Sequence, residues 1–364
     1  MRAEVFGRDA LGRLLPRWRR LEAAARAVPI ASAMLAHLPA PSEPLLVTLS
    51  DGEDLCALWP LRLRRHGPLR VAERLGGVLQ PYDGLLLAPD LDPTAAAGAL
   101  WSALSSSRAA DLLHLSALAE DSPLRSVPAI RRQAAAVGHA WSLDTAALRG
   151  PGAVLGRLSK NRRKSIRRRQ RKLEERGELS FVRLQAPQDR AQAVRTAIAL
   201  KAGWLEAQEL HSPVVMAPWF EQSLTRAAAD PALLSVVEVF ALQLDGQHVA
   251  LELGMRDGDS YRSYLAAFEP ALSELGVGTA LTVAVMQWCV DAGLARCDLL
   301  SPETDFKRSM GDQSMPMWSA TLALGRRGRL ALPLARQGGR LKKAYRELPP
   351  ETRAPLNALL RWVI

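Results

Sequence analysis

The sequence predicts an α/β (α+β) protein of two tandem domains, each a mixed, mostly antiparallel sheet flanked by helices. Three observations carry this. The chain has 364 residues, more than one hydrophobic core ordinarily serves. Short apolar runs recur with strand-like alternation, several joined by Asp-Gly turns, between longer stretches with helical spacing. Finally, a hairpin followed by a long helix and a further strand occurs in the first half, and a fuller version of that order in the second.

In chain order, residues 9–27 read as an amphipathic helix, with Leu11, Leu14, Leu15, Trp18 and Leu21 on one face. Residues 45–49 and 55–61 form a hairpin about Ser50-Asp51-Gly52-Glu53. Strands are expected at 69–75, 84–87 and 112–118, with a helix at 94–107. A second alternation starts with a helix over 151–176, for which Gly177 is the expected C-cap. A strand at 179–184 follows, then a helix over 187–209 that Pro187 opens, and a helix over 218–229. Three strands, 234–244, 247–255 and 260–268, are linked by Asp245-Gly246 and Asp257-Gly258. Then come a helix over 277–292, a strand at 296–300, and a helix with a strand pair in 304–324. This gives domains at 1–150 and 151–324, with an entry helix at 157–176. A basic tail, 325–364, ends in a helix from Ala354 to Val363.

Composition narrows the function. The net charge is +11, which implies an anionic partner: a phosphorylated cofactor, RNA or a membrane surface. Cys56, Cys289 and Cys297 have no metal or redox spacing, and Cys289 and Cys297 read as buried thiols. The six histidines are scattered, so no metal site is expected. No Ser-His-Asp arrangement is readable. No window reaches roughly 18 uncharged apolar residues, as a spanning helix would, and the N-terminus lacks an apolar signal region. The expected location is the cytoplasm, or a peripheral position on the inner membrane face.

The chemistry centres on Ser273-Glu274-Leu275-Gly276-Val277-Gly278-Thr279-Ala280-Leu281, between a strand and a helix. Glycines let the backbone approach a ligand closely, and the first helical N–H groups have no partner inside the helix. With the helix dipole they make an anion site suited to a diphosphate.

This stretch resembles the acyl-CoA loop of the GCN5-related N-acetyltransferases (GNAT), Gln/Arg-x-x-Gly-x-Gly/Ala followed by small residues and Leu. Ser273 stands where that pattern has Gln or Arg. On element order, the first half is similar to a degraded GNAT copy. Tandem GNAT domains are the layout of the Fem peptidyltransferases and of the BioF2-like or CelD-like acetyltransferases associated with bacterial polysaccharide synthesis. Trp59-Pro60-Leu61, Gln80-Pro81-Tyr82-Asp83-Gly84, the basic run from Leu158 to Arg168, Gly246-Gln247-His248-Val249-Ala250, and Asp298-Leu299-Leu300 leading to Phe306-Lys307 resemble the BioF2-like family most closely. That family usually has Tyr-Lys where this chain has Phe306-Lys307.

The resemblance implies an N-acyltransferase that uses acetyl-CoA or another acyl-CoA. Its acceptor would be an amine on a sugar, amino acid or lipid intermediate, in polysaccharide or cell-envelope biosynthesis. It puts the diphosphate on Gly276, Val277, Gly278, Thr279 and Ala280. It puts the acyl carbonyl against backbone N–H groups of Leu265, Ala266 and Ala267. Acyl transfer needs an oxyanion donor and a base for the amine, and an acid can protonate the leaving thiolate. Glu252, a carboxylate inside an apolar strand, is the expected base, and Tyr264 the expected acid. Asp298 would orient the amine. Lys307 would bind an anionic group, and Tyr82 and Asp83 would reach the acceptor from the first domain.

The run 157–172 is too cationic to be explained by helix stability, since like charges at i,i+4 repel. Arg162, Arg163 and Arg167 are its expected anion ligands, for an acidic acceptor, RNA phosphates or an anionic membrane. Two alternatives stay open. One is a Fem-like transferase using aminoacyl-tRNA. The other is a non-catalytic scaffold that lost cofactor binding, for which Ser273 is the support.

Overall fold

The computed structural model describes residues 1–39, 43–210 and 212–333. In chain order these form β1 (Arg2–Phe6), α1 (Leu11–Ala24), β2 (Glu43–Asp51), β3 (Asp54–His66), β4 (Leu69–Arg74), β5 (Leu86–Leu87), α2 (Pro93–Ser106), β6 (Leu112–Ala119), α3 (Pro128–Gln133) and β7 (Ala134–Asp144). They continue with α4 (Ala153–Arg157), α5 (Lys160–Glu174), β8 (Leu179–Arg183), α6 (Pro187–Ala207), α7 (Pro218–Ala229), β9 (Val237–Leu244), β10 (Gln247–Asp257), β11 (Ser260–Phe268), α8 (Val277–Asp291), β12 (Arg296–Asp298), α9 (Asp305–Met310) and β13 (Gln313–Ala323).

The chain divides into two compact units. Of the described residues, unit 1 holds 1–21, 43–136 and 318–333, and unit 2 holds 22–39, 137–210 and 212–317. The boundaries therefore differ from the expected 150 and 324. Residues 142–144 of β7 pair with β12, which draws that stretch into unit 2. The end of β13 packs Ala320 and Leu322 into the core of unit 1. Strand β7 is Ala-rich with little alternation and went unpredicted, as did β1. The expected tail helix from Ala354 to Val363 lies outside the described residues.

Unit 1 is a mixed sheet in the order β1-β2-β3-β4-β6-β13, with β5 on β3 and only β4 and β6 shown parallel among its registered pairs. Its core gathers Trp59 and Leu61 of β3, Leu100 and Leu104 of α2, and Leu113 and Leu115 of β6. Asp92 caps α2 by accepting from the Thr94 N–H at 3.0 Å.

Unit 2 runs β7-β12-β11-β10-β9-β8, antiparallel except for β11 beside β12. Asp245 and Gly246 both have positive φ, 50° and 76°, and join β9 to β10 as a two-residue turn. Helices α6 and α7 cover one face of these strands and α8 the other. On the α8 face, Trp288 packs against Phe240 and Tyr261 at centroid distances of 4.8 and 5.7 Å. On the α6 face, fully buried Arg190 donates to the carbonyls of Ala228, Leu184 and Val237. That one guanidinium ties α6, α7 and β9 together.

The expected helix 151–176 is two helices, α4 and α5. The chain is extended at Leu158 and Ser159, and the Ser159 hydroxyl accepts from the Arg162 N–H at 3.4 Å as the cap of α5. Gly177 is not the C-cap, which falls at Glu175. A side chain at 177 would collide with Asp245, whose carboxylate accepts from the Glu178 N–H at 2.8 Å. Strand β9 begins at Val237 rather than 234, because Pro231–Leu233 form a short 3-10 turn capped by Asp230. Strand β12 stops at Asp298, and the 304–324 stretch holds one helix and one strand.

Candidate active site

The site is built where β11 leaves β12 and enters α8. Parallel pairing between β11 and β12 covers only Ser260 to Arg262 against Arg296 to Asp298. Beyond Arg262, β11 continues to Phe268 paired with β10 alone in the registered ladder. The edge of residues 263–268 that faced β12 is thereby left for another partner. It includes Leu265, Ala266 and Ala267.

Within this stretch the strand is bulged. Leu265 pairs with Leu253 and Ser263 with Gly254, so Tyr264 is the extra residue. Its half-buried ring lies 6.5 Å from that of Phe220 in α7. Tyr261 instead lies under Trp288 on the α8 face, and its hydroxyl donates to Glu252 Oε1 at 2.8 Å. The close fit needs Gly254: a Cβ there would sit 2.1 Å from the Tyr261 ring.

Glu252 is 1% exposed, and its Oε2 makes no hydrogen bond. Burial pushes the carboxyl up to about 7, only partly offset by Tyr261 and Ser263. A carboxyl near neutrality suits a base. Glu252, however, is enclosed on the α8 face with Tyr261, Phe240 and Cys297, whereas Tyr264 faces α7. The expected base and acid therefore sit on opposite faces of the sheet and do not form a pair.

After Phe268, a 3-10 turn over Pro270–Leu275 leads to Gly276, at φ 70° and ψ 32°, which caps α8. The Ala280 N–H closes on the Gly276 carbonyl at 2.9 Å, so Val277, Gly278 and Thr279 carry the outward N–H groups of the first turn. A Cβ at Gly278 would lie 2.9 Å from the Phe268 ring. A Gly278→Glu change therefore disturbs packing as well as any anion, contrary to what the turn alone implies. Ser273 contributes its carbonyl, which accepts from the Gly276 N–H at 2.9 Å.

On the other side of the opening, Asp298 is buried at the last paired position of β12 and accepts from the Leu300 N–H at 2.8 Å. The Lys307 ammonium donates to the carbonyls of Leu300 and Pro302 at 3.0 and 3.1 Å. Its pKa is lowered to about 8, by burial first, with Asp298 opposing and Lys201 adding to the fall. Lys201, on α6, stands 4.2 Å from the Trp204 ring centroid, and burial lowers its pKa. Asp298, Lys307 and Lys201 thus meet electrostatically, although nothing in the α6 sequence singles out Lys201 or Trp204.

Tyr82 and Asp83 are buried in unit 1. Asp83 Oδ2 accepts from the Ala117 N–H at 2.7 Å, and burial raises its pKa against the opposing pull of Arg74. This is a structural engagement of Asp83 and not the open acceptor contact expected. On α5, Arg163 donates to the Gly156 carbonyl at 2.8 Å, Arg162 is half-buried with a lowered pKa, and Arg167 is exposed. Ile166 and Gln170 of α5, with Phe181, Leu242, Ala280 and Val283, line a cavity of about 270 Å³. Among the described residues no group of His, Cys, Asp and Glu is arranged for a metal.

Residues 160–308 match the family model described as acetyltransferase (GNAT) domain. Over these residues the chain is similar to a GNAT domain. The match makes the protein a transferase, and it spans α5 to α9, including the loop at Gly276. Solved structures agree in fold. FemX aligns with a TM-score of 0.59 at 10% identity, over 85% of this chain and 96% of its own. The L-PGS of Bacillus licheniformis aligns at 0.54 and 13% identity, over 88% and 93%. The C-terminal domain of a putative lysylphosphatidylglycerol synthetase from Agrobacterium fabrum aligns at 0.53 and 16%, over 87% and 95%. No curated protein matches the sequence. No described helix is long and apolar enough to cross a membrane.

Proposed function

We propose that the protein is an acyl-CoA-dependent N-acyltransferase of BioF2-like or CelD-like type. It acylates an amine on a sugar, amino acid or lipid intermediate of polysaccharide or envelope assembly, with unit 1 as a second GNAT-like copy. The observation that carries this is the unpaired edge of β11 after Arg262, leading within one strand into the Gly276 turn. An extended pantetheine arm satisfies such an edge as a strand would, and its diphosphate then meets the first turn of α8.

The amine attacks the thioester carbon. Negative charge develops on the carbonyl oxygen and is taken by N–H groups of the stretch Leu265 to Ala267. Asp298 orients the amine and receives its proton. Collapse of the tetrahedral species expels the thiolate, which Tyr264 protonates. Lys307, with Lys201 beside it, holds an anionic group of the acceptor. In this reading Glu252 is a core carboxyl and not the base, because it is enclosed under α8.

The Fem-like reading, with aminoacyl-tRNA as donor, draws support from the exposed Arg167, Arg168, Arg171 and Lys172 of α5. A thermal-shift series with acetyl-CoA, longer acyl-CoAs, CoA and bulk tRNA separates the two. Acyl-CoA at a hundred times its Kd stabilises the folded state by about 2.7 kcal/mol, and the melting temperature rises accordingly. A rise with tRNA and none with any CoA compound would replace the proposal with its alternative. No rise with either would leave the scaffold.

A further inference from the structure

The loop has Ser273 where a Gln or Arg would supply the side-chain donor to a diphosphate, yet a cation stands at the same turn. Helix α5 packs against the 3-10 turn 270–275 and against α8. Ile166 and Leu173 form its buried stripe, and Arg169 lies on that same side, three residues after Ile166. The Arg169 side chain reaches Gly276 itself: its Cδ and Nη1 lie 3.0 and 3.3 Å from where a Cβ on that glycine would be. A side chain here would crowd that approach, at a φ of 70° that residues other than glycine rarely adopt. Arg169 is solvent-exposed and has no ion-pair partner among the described residues. Neither acid at the end of α5, Glu174 or Glu175, is paired with it in any described salt bridge.

We propose that Arg169 binds the donor's diphosphate, supplying from α5 the side-chain contact that Ser273 lacks. This deepens the acyl-CoA reading and rests on it. The guanidinium and the N–H groups of Val277, Gly278 and Thr279 then converge on one anion from two elements. A planar fork suits phosphate oxygens, and an arginine held beside the turn loses little freedom on binding. The cationic helix thereby gains a role in donor binding. The arginine that meets Gly276, Arg169, is not among the three expected from the sequence to bind anions there, Arg162, Arg163 and Arg167.

The test is calorimetric affinity of the full chain for acetyl-CoA, with acetyl-pantetheine, which lacks the diphosphate, as the comparison. Arg169→Ala weakens acetyl-CoA by roughly 10- to 100-fold, the range for a charged hydrogen bond, and leaves acetyl-pantetheine unchanged. Lys164→Ala, the same loss of charge on another face of α5, changes neither by more than about twofold. Adding Ser273→Arg to Arg169→Ala recovers most of the lost affinity, because the donor returns from the loop side. Equal acetyl-CoA affinity in wild type and Arg169→Ala, or a matching loss of acetyl-pantetheine, overturns the inference and leaves the acyl-CoA reading standing. A wild type that binds no acetyl-CoA sinks that reading, and this inference with it.

Discussion

Glu252→Gln should flatten the pH dependence of stability that this one carboxyl imposes. In the fold its carboxyl is pushed up from 4.5 to about 7, chiefly by burial. A raised acid favours the fold while it is protonated. The contribution is fully present below about pH 4.5, where both states are neutral. It is lost as pH rises through about 7, because the unfolded chain ionises earlier. At about 1.4 kcal/mol per pH unit, the gap between 4.5 and about 7 comes to about 3 kcal/mol. Glutamine keeps the shape of the protonated acid and can still accept from the Tyr261 hydroxyl, but it cannot ionise. Urea unfolding of both proteins, followed by tryptophan fluorescence at pH 5, 6, 7 and 8, measures the effect. The variant should gain on the wild type by about 2 to 3 kcal/mol between pH 5 and pH 8, because ionisation of the unfolded chain has already begun at pH 5. Curves that stay parallel across that range would show that the carboxyl is not desolvated as described. A proportional loss of turnover in the variant at every pH would instead return Glu252 to the chemistry.

Lys307, at about 8, should produce a falling alkaline limb in the rate profile near that pH, as the ammonium discharges. Lys307→Arg stays charged and should remove the limb within the pH range studied; rate measurements from pH 6 to 10 decide it. Gly254→Ala forces a methyl into the Tyr261 ring. Overpacking there should cost about 2 kcal/mol or more, read as a lower urea midpoint, with Gly258→Ala as an unsuitable control because of its own clash with Arg26.

Much of this architecture was legible from the chain, because local rules and tertiary packing agree there. Asp245-Gly246 joins its strands as the dipeptide implies, and Pro187 opens α6. The Gly276 turn was readable because the strand before it and the helix after it both announce themselves. Other features depend on contacts that no window of sequence contains. Strand β7 lacks alternation, and pairing with its neighbours β12 and β13 gives it strand form. The break at Ser159 is a cap that the surrounding arginines mask. Lys201 acquires meaning only through the fold that brings α6 to Lys307. Glu252 was visible as an anomaly, a carboxylate among apolar residues, but alternation could not tell which face it occupied. The bulge at Tyr264, which no residue type marks, puts that tyrosine on the other face and leaves Tyr261 as the one beside Glu252.

That extra residue has a further consequence. An ordinary strand has one parity, so a change that improves its inner row must spare its outer row along the whole length. In β11 the count resets at Tyr264. Tyr261 and Ser263 belong to one lineage of contacts, shared with Glu252 and Gly254. The stretch from Leu265 onward can vary without shifting them in phase. Insertions or deletions are ordinarily ruinous in a strand, yet here a single added residue separates the part that must stay packed from the part free to adapt to a donor. Deleting that residue would leave Ser263 opposite Gly254 and Leu265 opposite Leu253 in an ordinary ladder, so residues 265–268 would keep their faces and only the bulge, with its Tyr264 ring beside Phe220, would be lost.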